Sequence, residues 1–159
     1  MRKSIAVLII VSLIVLIFIL YLIYKESYKS TIKNEGVEEI MDKVSLIVNG
    51  KSYEVELENN SSSAAFLEKV KESDLTINTS DYGSFEKVGD LGFSLPTNDS
   101  YITAVPGDII LYQGDKITVY YGTNSYSFTR LDKIKNVSSE ELKEVLGNGD
   151  VVITFSIKK

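Results

Sequence analysis

Asn49-Gly50 stands between two stretches in which apolar and polar residues alternate, and this pattern constrains the fold tightly. A type I′ turn needs positive φ at both central positions, which Asn and Gly adopt with little strain, and its twist suits antiparallel strands. Tyr53, Val55 and Leu57 alternate with Ser52, Glu54, Glu56 and Glu58, so one face of the second strand is buried and the other solvated. The spacing predicts a hairpin over Val44–Leu57.

The same reading extends along the chain. Asn60-Ser-Ser-Ser63 offers helix N-caps ahead of Ala64–Val70, where Phe66 and Val70 lie four apart and share a face. Leu75–Thr79 resumes strand alternation. Asp81–Pro96, with Gly83, Gly89, Gly92 and Pro96, reads as an irregular loop ending in a short extended piece. Ile109–Tyr112 and Ile117–Tyr121 flank Gln113-Gly-Asp-Lys116 as a second hairpin. Gly122–Ser127 reads as a turn or loop, and Phe128–Leu131 with Ile134 as extended chain. Ser138-Ser-Glu-Glu141 is a capping box opening a helix over Ser139–Leu146, which Gly147 closes as a left-handed cap. Val151–Ile157 is a closing strand. Many short strands with two short helices imply a mainly β fold, an antiparallel barrel or sandwich; closure would remove exposed edges.

Ahead of this lies an apolar run, Ile5–Ile23, broken only by Ser12 and Tyr21 and flanked by Arg2, Lys3 and Lys25. As a helix rising ~1.5 Å per residue it reaches close to the ~30 Å hydrocarbon core of a bilayer. It is longer than the apolar region of a signal peptide and ends in Tyr21-Leu-Ile-Tyr-Lys-Glu26, with no small residues for a peptidase. With no Cys, lipid modification of a cysteine is excluded. The expected organisation is a single-pass transmembrane signal-anchor over 1–24, a polar stalk over 25–42 and a folded domain over 43–159. Arg2 and Lys3 nearly balance Lys25, Lys29 and Lys33 beyond the helix. The short amino-terminal tail resembles the start of an export signal, so the domain is expected outside the cytoplasm, at the cell membrane, with the lipid bilayer as partner of Ile5–Ile23.

Composition excludes whole classes of chemistry. The chain has no His, Cys or Trp, so imidazole and thiolate metal sites, Ser-His-Asp triads and Cys-His nucleophiles are impossible within it. All 22 acidic residues lie beyond the apolar run and the formal charge is −5, which argues against a nucleic-acid partner. Asp81, Asp90, Asp99 and Asp108 recur every nine residues, but no calcium-loop pattern surrounds them, and the spacing is read as coincidence. Gly89-Asp-Leu-Gly92 lacks the spacing of a phosphate loop and reads as a turn. No metal and no cofactor is expected.

As a set, several segments resemble the small bacterial cyclophilin-like domains: the first hairpin and helix, Ser80-Asp-Tyr-Gly83, Phe93-Ser-Leu-Pro96, Pro106–Tyr112, Ile117–Gly122 and Thr129–Ile134. The resemblance spans about Val44–Lys159 and implies a closed antiparallel cyclophilin-like barrel of about eight strands, with a short helix at each end. It is to fold relatives rather than to active prolyl isomerases. Those enzymes place an Arg and a Phe close together on one strand, with Gln, Trp or His in the pocket, and no segment here matches that strand. Arg130 is the only Arg beyond the membrane end, and its position does not match.

Two segments are candidate ligand walls. Asp81–Glu86 carries Tyr82 and Phe85 among carboxylates, and Asn124-Ser-Tyr126 with Arg130 could face it, Arg130 pairing a ligand carboxylate. The plain alternatives are a solvated loop and a surface ion pair. Tyr82, Phe85, Tyr126 and Arg130 are therefore the candidate ligand-binding residues, and no catalytic residue is assigned. The expected function is non-catalytic binding of an extended peptide or small ligand; the alternative is an extracytoplasmic peptidyl-prolyl isomerase acting on exported proteins.

Overall fold

A computed structural model of the chain describes residues 15–26 and 43–158. The chain divides into two compact units, Met1–Met41 and Asp42–Lys159. In the first, residues 15–26 form helix α1, with every side chain from Val15 to Tyr24 exposed. Residues 1–14 of the expected anchor and 27–42 of the expected stalk lie outside the described residues. Among the described residues no helix is long and apolar enough to cross a membrane.

The second unit is mainly β. It opens with β1 (Lys43–Val48) and β2 (Lys51–Leu57), joined by Asn49 at φ 48° and Gly50 at φ 76°, the positive pair that a type I′ turn requires. Asn49 also donates from Nδ2 to the Val145 carbonyl at 2.8 Å, tying the turn to a distant helix. Helix α2 (Ser61–Glu72) follows; Asn60 caps it by accepting from the Ser63 amide at 2.9 Å. Strands β3 (Leu75–Tyr82) and β4 (Glu86–Asp90) pair antiparallel, with Tyr82 opposite Glu86. After β5 (Ser100–Ala104) come β6 (Asp108–Tyr112), β7 (Lys116–Tyr120) and β8 (Asn124–Ile134). Helix α3 (Ser139–Leu146) and β9 (Val151–Lys158) close the chain.

The nine strands of the described residues form one antiparallel sheet in the order β2-β1-β9-β3-β4-β7-β6-β8-β5, and a further β2–β8 pairing closes eight of them into a ring. Val55 opposite Ile134 and Leu57 opposite Asp132 make that closure. The ninth strand, β5, pairs with the first half of β8, whose second half carries the ring. A register shift between Ile109 and Ile110 leaves Leu131 unpaired between Arg130 and Asp132.

The principal core gathers alternate residues of the ring strands, among them Val44, Leu46, Ile77, Ile109, Leu111, Ile117, Val119, Ile153 and Phe155. α2 adds Phe66, whose ring meets Phe155 edge-on at 5.0 Å, and α3 adds Leu142, Val145 and Leu146. Ile110, Tyr120, Phe128 and Ala104 form a second cluster on the opposite face of the same strands, with Phe85, Ile102 and Tyr112 packed against it.

Four sequence expectations are corrected here. Asp81–Pro96 is not one irregular loop: its first ten residues hold the end of β3, a tight turn and β4. Gly89, expected in a turn, lies in β4 opposite Ile117, at a point where a Cβ would stand 2.5 Å from the Ile77 side chain and 2.7 Å from the Asn78 carbonyl, so only glycine fits. Asn124–Ser127 is strand rather than loop, since β5 supplies its ladder partners. The capping at Ser138 is as expected, its hydroxyl accepting from the Glu141 amide at 3.1 Å. Glu141 itself takes a hydrogen bond from the Tyr53 hydroxyl at 3.0 Å. Gly147 has positive φ, but its ψ of −170° is not that of a left-handed cap.

Candidate functional site

The second cluster does not cover its face of the sheet completely. Beside it, across β4, β7, β6 and the start of β8, lies a hollow of about 400 Å³. Alternation builds it: Glu86 and Val88 on β4 and Lys116 and Thr118 on β7 point away from the principal core, and Tyr112 ends β6 on the same side. Tyr82 closes one rim from the end of β3, and Asn124, Tyr126 and Phe128 close the other from β8. Tyr82 and Tyr126 are more than half exposed, whereas Phe128 is buried.

The aromatic wall is mutually braced. Tyr126 lies 5.5 Å from Phe128 and 6.3 Å from Tyr112, ring centre to ring centre, and Tyr112 lies 6.2 Å from Phe128. Phe85 props the opposite rim, edge-on to Tyr82 at 6.0 Å and stacked on Tyr120 at 6.1 Å. Its carbonyl accepts from the amides of Tyr121 and Gly122 at 3.0 and 2.8 Å. Gly122 makes that approach possible, since a Cβ there would stand 2.6 Å from the Phe85 Cβ.

Polar groups at the floor, Glu86 and Thr118, and Tyr120 in the cluster beside it are under-used. Glu86 is 7% exposed, Thr118 2% and Tyr120 fully buried. Glu86 Oε2, Thr118 Oγ1 and Tyr120 Oη each lack a well-formed hydrogen bond. Burial pushes the Glu86 carboxyl above its usual range; Tyr120 and Thr118 lie near enough to oppose part of that rise without completing the geometry. Burial, then the Glu86 carboxylate, push the Tyr120 phenol up. Lys116, the cation at the rim, is held by Asp90 at 2.8 Å and Asp115 at 3.4 Å.

Of the four residues singled out from the sequence, the structure brings Tyr82 and Tyr126 to this hollow and sets Phe85 behind Tyr82. Arg130 does not line it. Its guanidinium pairs with the buried Asp108 at 3.0 Å, with Glu58 at 3.9 Å, and reaches the Thr103 carbonyl at 3.4 Å. Sequence reasoning missed Tyr112, Thr118 and Phe128 as lining residues. For Tyr112 and Thr118 the available signal was the near-continuous apolar character of Ile109–Tyr112 and Ile117–Tyr121, broken only by Thr118 itself, which marks strands buried on both faces.

A second hollow, of about 500 Å³, lies between the α3–β9 connection and β3. The buried lysine at that end of the sheet is fully engaged: Lys87 Nζ donates to Asp81 at 2.7 Å and to the carbonyls of Gly147 and Gly149 at 3.0 and 2.7 Å. Asp81 also accepts from the Tyr121 hydroxyl at 2.5 Å. Lys87, then Tyr121, hold the Asp81 carboxyl below its usual range. Among the described residues no cluster of His, Cys, Asp or Glu could hold a metal ion.

The sequence model of the cyclophilin-like family matches residues 46–156, from within β1 to within β9, with the six other strands of the ring and both helices of the second unit between them. The chain belongs to the cyclophilin-like family. Comparison with curated proteins and with solved structures gave no match. In this cyclophilin-like domain the hollow lies on the face of the sheet opposite the principal core, bounded by aromatic rings and floored by buried polar groups without partners.

Proposed function

We propose that this is a membrane-tethered binding protein whose cyclophilin-like domain, a closed barrel over 43–159, holds a small ligand outside the cytoplasm and catalyses no reaction on it. The observation that carries this reading is the aromatic hollow: its volume of about 400 Å³ falls in the range of small-molecule sites. Its braced rings need little reordering to receive a ligand, which keeps the entropic cost of binding low. A catalytic role is disfavoured by Arg130, which is committed to Asp108 and stands off the hollow's lining. Lowering the ~18–20 kcal/mol barrier of a peptide bond would need a donor placed at the prolyl nitrogen. The tether rests on Ile5–Ile23, with Arg2 and Lys3 before it, and the stalk on the polar stretch that follows to about residue 42.

Ligand-observed NMR with the full chain in a maltoside detergent tests the reading. Small apolar compounds should bind and lose binding in Tyr126→Ala. A prolyl-peptide isomerisation assay on the same sample should show no acceleration. Acceleration abolished by Arg130→Ala would replace the reading with an isomerase, and capture of extended peptides alone would replace the small ligand. Alkaline extraction of membranes should leave the chain in the bilayer, and protease added outside intact cells should remove the domain.

A further inference from the structure

The hollow combines two features that do not ordinarily meet by accident. One is a wall of three rings, Tyr112, Tyr126 and Phe128, facing Tyr82 across the opening. The other is a carboxyl, Glu86, more than nine-tenths buried, lining the same space with one oxygen that makes no well-formed hydrogen bond although Tyr120 and Thr118 stand beside it. A buried polar group without a partner is costly, and in a native fold such a group calls for an explanation. An apolar ligand would leave that cost in place. A neutral hydrogen-bonding ligand would relieve it but would draw nothing from the electron-rich ring faces. A cation uses both.

We infer that the hollow receives a small organic cation, an alkylated ammonium group, with its charge against Glu86 and its alkyl groups against the tyrosine and phenylalanine rings. This deepens the proposed binding role and rests on it. Ring faces carry negative charge density and attract ammonium groups, most strongly where water is excluded. With no opposite charge beside it, burial favours the neutral Glu86 carboxyl; an arriving cation supplies the charge that lets it ionise. The competing cation, Lys116, is already neutralised by Asp90 and Asp115, so the rim does not repel a positive ligand. The chain's formal charge of −5 also favours the approach of a cation over that of an anion.

The test compares choline with 3,3-dimethylbutan-1-ol, which has the same shape without the charge, by calorimetric titration of the full chain in a maltoside detergent. Choline should bind about tenfold tighter than the neutral compound, consistent with ring and carboxylate both acting on the charge. Glu86→Gln, which keeps shape and fold, should cut that preference to less than about threefold. Tyr126→Ala, at an exposed rim position, should weaken choline at least about fivefold. Equal binding of the two compounds would overturn the cation inference while leaving the hollow a binding site. An unchanged preference in Glu86→Gln would overturn the role of the carboxyl. Binding of neither compound at millimolar concentration would overturn the inference, and the apolar-compound screen then decides separately whether the hollow binds anything.

Discussion

Two buried ionisable side chains sit in neighbouring positions of β4 and live in opposite circumstances. Lys87 is wholly buried, but all three of its hydrogens have acceptors: one carboxylate and two carbonyls from the α3–β9 connection. Glu86, one residue earlier and on the other face, has an oxygen with none. The strand's alternation sends one toward the principal core and the other toward the hollow. Lys87 is spent on holding structure together, whereas Glu86 keeps an unused acceptor beside an open hollow. The second hollow, although larger, borders the satisfied end, and none of its described lining residues carries a buried side chain without a partner.

The comparison can be broken by substitution. Lys87→Met should be the most damaging single change, costing on the order of 3 kcal/mol in urea unfolding, because it removes the shared donor of two carbonyls and of the Asp81 carboxylate, which keeps only Tyr121. It should also weaken the acid sensitivity of the fold. Asp81 is held below its usual range by Lys87 and Tyr121, so its contribution is present above the unfolded carboxyl pKa and lost as the pH falls through the lower folded one.

Asp132 sharpens the contrast from the other side. It is fully buried, neither oxygen has a partner, and burial with the nearby Glu58 raises its pKa. Here the sign reverses: stability is greatest below the unfolded carboxyl pKa and declines as the pH rises toward the raised folded value. Asp132→Asn should therefore stabilise the protein near neutral pH by about 1–3 kcal/mol and flatten that decline, as read from unfolding curves across pH. Glu86→Gln should shift stability by less than about 1 kcal/mol, since the amide replaces a carboxyl that burial already favours in its neutral form. Lys116→Ala, at an exposed pair, should leave thermal unfolding unchanged within error.

Local chemistry makes much of the ring legible in the sequence. Asn49-Gly50, the Ser138 cap and the Gln113-Gly114 turn act through residues adjacent along the chain, and their elements lie where the sequence pattern puts them. The elements that are not legible depend on partners far along the chain. β4 carries Lys87 and Gly89 on its core side, so it has no apolar alternation to read; its strand state comes from β3 and β7. β5 and the start of β8 pair with each other and are mostly exposed, so neither shows a hydrophobic pattern. The candidate site shares that fate. Tyr82, Phe85 and Tyr126 stand out as aromatics on polar segments, whereas Glu86 and Thr118 become informative only once burial and missing partners are seen. Arg130 attracts notice as the lone arginine beyond the apolar run, and Asp108, 22 residues away, accounts for it.

The central claim is that ligands enter beside Glu86 and not at the satisfied end near Lys87. Carbon-13 labelling of the tyrosine rings, with NMR spectra recorded as alkylammonium and small apolar compounds are added, tests it most directly. The account predicts shifts at Tyr82, Tyr112 and Tyr126 with Tyr53 and Tyr121 unmoved. Shifts confined to Tyr53 or Tyr121, or no shift at any ring, would contradict it.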